Sequence, residues 1–217
     1  MDQQWLQGVK NLMSTFSGRI ELCRLLGSIG DRDLEAQVIA LARSLSRGEL
    51  PPHVTATRTP VLYERARHWV YASNAAITAE RLYQWEESPY LQRLVATNSR
   101  MVSEGVHFSR TFVLSKGEVI PNSEIWDERS LKVLTRQMDA GIEVRVIWAE
   151  NIKDDILPPE RRLAQNFTIF DGVEAVRTTD VQVGYRAGSA GLRDLLIVRN
   201  EQFKYSRSLT EFLPKHQ

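Results

Sequence analysis

A single cysteine, Cys23, stands in 217 residues, so no internal disulfide can form and no metal-ligand spacing includes a thiol. Between Leu22 and Arg24 in a helical pattern it reads as a small buried apolar residue, and such sparing use fits a reducing cytosol. No stretch approaches the roughly 20 apolar residues of a membrane span. The opening Met-Asp-Gln-Gln-Trp lacks the basic start and apolar run of a secretory signal. Both absences point to a cytoplasmic chain with no membrane partner. Charge of one sign is missing too: 28 Lys and Arg against 27 Asp and Glu leave +1, which supplies no bulk field for nucleic acid. His53, His68, His107 and His216 are scattered and form no metal-binding spacing, and no glycine-rich phosphate loop or nucleophile elbow occurs. Neither a metal nor a cofactor is expected. Internal repeats and low-complexity tracts are also lacking.

What is present is an ordinary globular composition, with 42% hydrophobic and 25% charged residues, enough to bury a real core. Residues 1–48 carry apolar side chains at mostly helical spacing, among them Trp5, Val9, Leu12, Phe16, Leu34, Val38 and Leu41, and read as a helical segment ending at Gly48. Residues 49–60, with Pro51, Pro52 and Pro60 among Thr and His, read as a linker. From 61 to 217 the pattern becomes α/β. Strands are expected at 67–73, 108–114 and 142–149, separated by a helical stretch from Thr78 that Pro89 breaks and Gly105 ends, and by a helix over 123–139 with Ser123 as N-cap. Strands at 166–170 and 173–177 flank Asp171-Gly172, a hairpin signal. Further strands are expected at 181–186 and 194–199, with Gly188-Ser189-Ala190-Gly191 as a flexible turn between them and a closing helix over 206–212.

Residues 164–172 read Ala-Gln-Asn-Phe-Thr-Ile-Phe-Asp-Gly. This resembles the His-x-Lys-x-x-x-x-Asp-Gly signature of the phospholipase D superfamily, with Ala164 in the histidine position, Asn166 in the lysine position and Asp171-Gly172 kept. The strand running into Asn74-Ala75-Ala76-Ile77, and the helix-glycine-strand phrase used twice before residue 149, fall in the matching order. The resemblance implies a phospholipase D-like mixed sheet flanked by helices over 61–217. In that family the histidine attacks phosphorus and lysines clamp the phosphate oxygens. Alanine can do neither, and a neutral amide cannot replace an ammonium. The family builds its site from two motif copies, and one copy here implies a homodimer.

Arg110 and Arg145 lie in expected strands and Arg193 beside one. Such arginines either pair with Glu150, Asp171 or Asp194 or converge on an anion-binding groove. Trp126 opens a helix and either covers the sheet or stacks a ligand. Asn74, Arg110, Trp126, Arg145, Asn166 and Asp171 are therefore the ligand-binding candidates, with no catalytic residue assigned. Asp171-Gly172 reads foremost as a turn. The expected function is a non-catalytic sensory, regulatory or interaction module that binds an anionic small molecule or a protein partner. A phosphodiesterase or nuclease using His107 with Arg110 is the first alternative. A nucleic-acid-binding regulator, read through the N-terminal helices or an arginine groove, is the second.

Overall fold

The computed structural model describes residues 47–213 apart from 51, 122–124, 154–156, 159–160 and 180–181, with the backbone alone for 52–54 and 56–58. The expected N-terminal helical segment and the Ser123 cap lie outside the described residues.

Eight strands form one mixed sheet: β1 (Glu49–Leu50), β2 (Trp69–Asn74), β3 (His107–Leu114), β4 (Glu143–Trp148), β5 (Asn166–Phe170), β6 (Glu174–Thr178), β7 (Gln182–Arg186) and β8 (Arg207–Ser208). Their order is β1-β7-β6-β5-β2-β3-β4-β8. Strands β2, β3 and β4 are parallel, joined by right-sized helical crossovers, and every other pairing is antiparallel. The fold is thus mixed α/β.

Period-2 alternation sorts the strand residues onto two faces. Val70, Ala72, Phe108, Phe112, Val144 and Val146 join the larger apolar cluster with the helices α1 (Pro52–Arg65), α2 (Ala79–Glu87) and α3 (Pro89–Ser103), and with α5 (Glu128–Asp139), which follows the single turn α4 (Lys116–Val119). Tyr71, Phe167, Ile169 and Ala175 face the other way, onto Leu192, Leu195 and Val198 of α6 (Ala190–Tyr205). The break between α2 and α3 falls at Ser88-Pro89: Ser88 closes one helix and its hydroxyl accepts from the Leu91 N–H of the next. Gly141 ends α5 at φ 80°, where a Cβ would also come within 2.7 Å of Val102 Cγ1. Asp171 and Gly172 both take positive φ, 50° and 71°, between β5 and β6. That is the geometry of the hairpin turn their dipeptide announces.

Four expectations change. The stretch 49–60 is no linker: Glu49 and Leu50 pair with β7, and α1 begins at Pro52 and continues through Pro60. Proline at the first helical position loses no bond, and burial of Thr55, Leu62, Tyr63 and Ala66 outweighs the cost of about 3 kcal/mol that an internal proline imposes. Residues 194–199 are not a strand but the middle of α6, whose Leu192, Leu195, Val198 and Gln202 recur at helical spacing along one buried side. Ser189 does not sit in a flexible turn; its hydroxyl accepts from the Leu192 N–H and caps that helix. The tail over 206–212 forms β8 and a 3₁₀ turn at Leu209–Glu211 in place of a closing helix.

Candidate functional site

Between the sheet and α1, α2 and α3 lies a cleft of about 490 Å³. It opens at the carboxyl end of β2, where a parallel neighbour, β3, lies on one side and an antiparallel one, β5, on the other. Chain direction and connections reverse at that point, which is where open α/β sheets leave a crevice for ligands. The sheet contributes Asn74, Asn166, Thr168, Thr178 and Gln182 to the wall; α1 contributes Thr59 and Tyr63. Arg81, Gln84 and Trp85 come from α2, and Tyr90, Leu91 and Leu94 from α3. Amides and hydroxyls dominate the sheet side, and aromatic and aliphatic surface dominates the side of α3 and the end of α2.

Two expected candidates meet here. Asn166 opens β5 and Asn74 ends β2, and both line the cleft. The Ala75 N–H donates to Asn166 Oδ1 at 2.8 Å, which ties the loop after β2 to β5. Asn74 Oδ1 is buried and makes no hydrogen bond to protein. Ala164 stands two residues before β5 and offers a methyl group only.

The other candidates lie elsewhere. Arg110 pairs in register with Ala72 and Val144, so it points to the helix-rich face; Arg145 pairs with Thr111 and points to the opposite one. They cannot converge on one groove. Arg145 donates to Ser206 Oγ at 2.8 Å, to the Ser206 carbonyl at 3.1 Å and to Glu143 Oε1 at 2.9 Å, and is therefore spent on holding β4 to β8. Arg193 sits on α6, not on a strand. Trp126 packs with Trp148 and Phe212, with ring centroids 5.6 and 6.3 Å away, and does not line the cleft.

Asp171 occupies the far end of β5, five residues from Asn166, or about 16 Å along an extended strand. Its carboxylate accepts from the backbone N–H groups of Arg67 at 2.9 Å, His68 at 2.9 Å and Trp69 at 2.8 Å. Partial burial works against its ionisation, but these donors outweigh it and hold the carboxyl below the usual range. The residue anchors the start of β2 and takes no part in the cleft. The alternative pair His107 and Arg110 does not form either: by strand parity the two lie on opposite faces, with the imidazole 67% exposed and 3.3 Å from Glu143.

A second, open hollow of about 480 Å³ lies beyond β3 and β4, beside Lys116, Trp148, Glu150 and Asn151. There Glu150 Oε1 accepts from the Ser115 hydroxyl at 2.7 Å and the Lys116 N–H at 2.9 Å. Among the described residues no group of three or more His, Cys, Asp or Glu could hold a metal ion, and no helix is long and apolar enough to cross a membrane.

No family model matches the chain, and no curated protein matches its sequence. Among solved structures, a phospholipase D family member, Nuc from Salmonella typhimurium, is similar at 14% identity and a TM-score of 0.43, covering 74% of this chain and 94% of that one. TrmBL2, an archaeal chromatin protein whose structure shows a novel mode of DNA binding, is similar at 13% identity and a TM-score of 0.38, covering 85% and 66%. Likenesses this distant carry no argument about activity, ligand or partner.

Proposed function

We propose that the chain is a non-catalytic, phospholipase D-like regulatory module that binds a small molecule in the cleft at the end of β2. The phospholipase D-like reading rests on the order of strands and helices and on the phrase from Ala164 to Gly172. The observation that carries the functional reading is the fate of Asn166. It occupies the position of the family's lysine, lines the cleft, and spends its carbonyl oxygen on the Ala75 N–H. Among the described residues lining the cleft there is no imidazole, lysine or carboxylate to attack phosphorus or to move a proton. What remains is a concave wall of amides, hydroxyls and rings, of a volume that suits a drug-sized ligand. A homodimer, with the regulated state passed to a second copy or to another protein, belongs to the same proposal.

Three measurements test it. Pure protein incubated with bis(p-nitrophenyl) phosphate is expected to give no release above buffer, and turnover abolished by His107→Ala would sink the non-catalytic reading. Filling the cleft by Thr168→Trp is expected to remove the binding of any small molecule that stabilises the wild-type chain against heat. Light scattering in solution tests the dimer. The nucleic-acid reading gains nothing from the arginines, because Arg110 is buried and Arg145 is committed to Ser206 and Glu143.

A further inference from the structure

Behind the cleft floor lies a buried cation with no counter-charge among the described residues. Arg110 is 1% exposed and takes part in none of the described salt bridges. Its guanidinium donates through Nη1 to Gln137 Oε1 and lies 4.3 Å from the Trp85 ring centroid and 5.2 Å from that of Phe108; its Nε makes no hydrogen bond. Burial pulls the group down to about 10, against the weaker opposing influence of the Tyr63 phenol, so it is still charged at neutral pH. Amides and rings satisfy its shape but not its charge.

That charge stands close to the cleft. Thr168, Ala72 and Arg110 lie in one row across β5, β2 and β3, with only the Ala72 methyl between the outer two. Two strand spacings put their backbones about 10 Å apart. Trp85, which stacks on the guanidinium, and Tyr63, which feels its charge, both line the cleft. Among the described lining residues Arg81 is a second cation, exposed at the rim, and none is Asp or Glu. Among the described lining residues the cleft thus presents positive charge and no carboxylate to offset it.

We propose that the cleft takes a monoanion, a carboxylate on an aromatic or aliphatic body, and prefers it to its neutral isostere because of the uncompensated charge of Arg110. The inference rests on the cleft being a ligand site. Leu91, Leu94 and Tyr90 provide surface for the apolar body, and Asn74, Thr168 and Gln182 provide groups that orient the head. Arg81 is exposed and stays solvated, so Arg110 is the one desolvated cation, and a dianion is left half-compensated. At about 10 Å and an effective dielectric of about 20, a unit charge changes affinity by roughly tenfold.

The test uses a fragment set of paired aromatic and aliphatic carboxylic acids and their primary amides, with inorganic sulfate as a dianion control. The full chain is held at neutral pH and low salt, and the Trp85 indole N–H, assigned with Trp85→Phe, is followed by NMR. The acids are expected to shift that resonance and to bind roughly tenfold tighter than their amides. In Gln137→Glu, which sets a carboxylate on Arg110, the preference is expected to vanish while amide binding stays; Arg110→Met is expected to do the same. Amides binding as tightly as acids, sulfate binding more tightly than the acids, or a preference that survives Gln137→Glu would each overturn the inference and leave the cleft intact as a site. If no fragment of either kind moves the Trp85 signal, the cleft reading falls with it.

Discussion

The Trp69 N–H lies 2.8 Å from Asp171 Oδ1, a bond between the first residue of β2 and the turn that ends β5. With the Arg67 and His68 N–H groups it makes the carboxylate a three-point anchor.

Asp171→Ala removes both carboxylate oxygens and with them all three bonds, and a loss of about 1–3 kcal/mol is expected in denaturant unfolding. The pH dependence has a definite sign. A carboxyl held below its usual range in the folded state stabilises the fold above the unfolded value, near 4, and that contribution disappears as pH falls through the lower folded value. Below about pH 4 the difference between wild type and variant is therefore expected to shrink, which paired unfolding curves at pH 7 and pH 3 will show.

Gln202 is fully buried in α6 and ties it to β2 and to the segment before β5. Its Oε1 accepts from the Tyr71 hydroxyl at 2.7 Å, and its Nε2 donates to Ser73 Oγ at 2.7 Å and to the Leu163 carbonyl at 2.6 Å. Gln202→Leu keeps the bulk and strands these partners, so a loss of about 2–4 kcal/mol is expected by chemical denaturation, with an unchanged m-value.

Gly191→Ala adds a methyl group that would collide with the Tyr185 ring. Alanine is the better helix former by up to about 1 kcal/mol, yet Tyr185 is buried in the cluster under α6, and its displacement is expected to reverse the sign to a net loss of about 1–3 kcal/mol. A lower Tm than wild type checks it; a higher one contradicts it.

Burial pushes the Tyr63 and Tyr71 phenols up, Tyr71 far above the ordinary range. For a group whose folded value is raised, stability is complete below the unfolded value near 10 and is lost as pH climbs past it. In a spectrophotometric titration these two tyrosines are expected to ionise only with alkaline unfolding. A smooth titration of all six tyrosines before the far-ultraviolet signal changes would contradict this.

From 67 to 149 the alternation of strand and helix is legible because the strands are short apolar runs and the two long helices α3 and α5 keep a helical period and stop at Gly105 and Gly141. The Asp171-Gly172 turn is legible for a related reason: the dipeptide has few other uses between two strands. Residues 194–199 mislead because Leu195-Leu196-Ile197-Val198 shows no period by itself; the helix emerges only with Leu192 and Gln202 included. The prolines of 51–60 mislead because tertiary burial, not local propensity, keeps α1. At the site, Asn74 and Asn166 could be named from the sequence, but Tyr63, Gln84 and Gln182 could not, since they meet only through packing of three separate layers. The arginine groove fails on register. Arg110 stands opposite Val144, not Arg145, and a shift of one residue turns a side chain to the other face.

The rims of the sheet are two-residue strands, Glu49–Leu50 at one side and Arg207–Ser208 at the other. Each masks part of a longer strand, and each is too short to template a further one. Among the described residues, a neighbouring molecule that approached edge-on would find two backbone positions at each outermost strand. Sheet extension, the route to fibrous growth, is thereby disfavoured at both outermost strands.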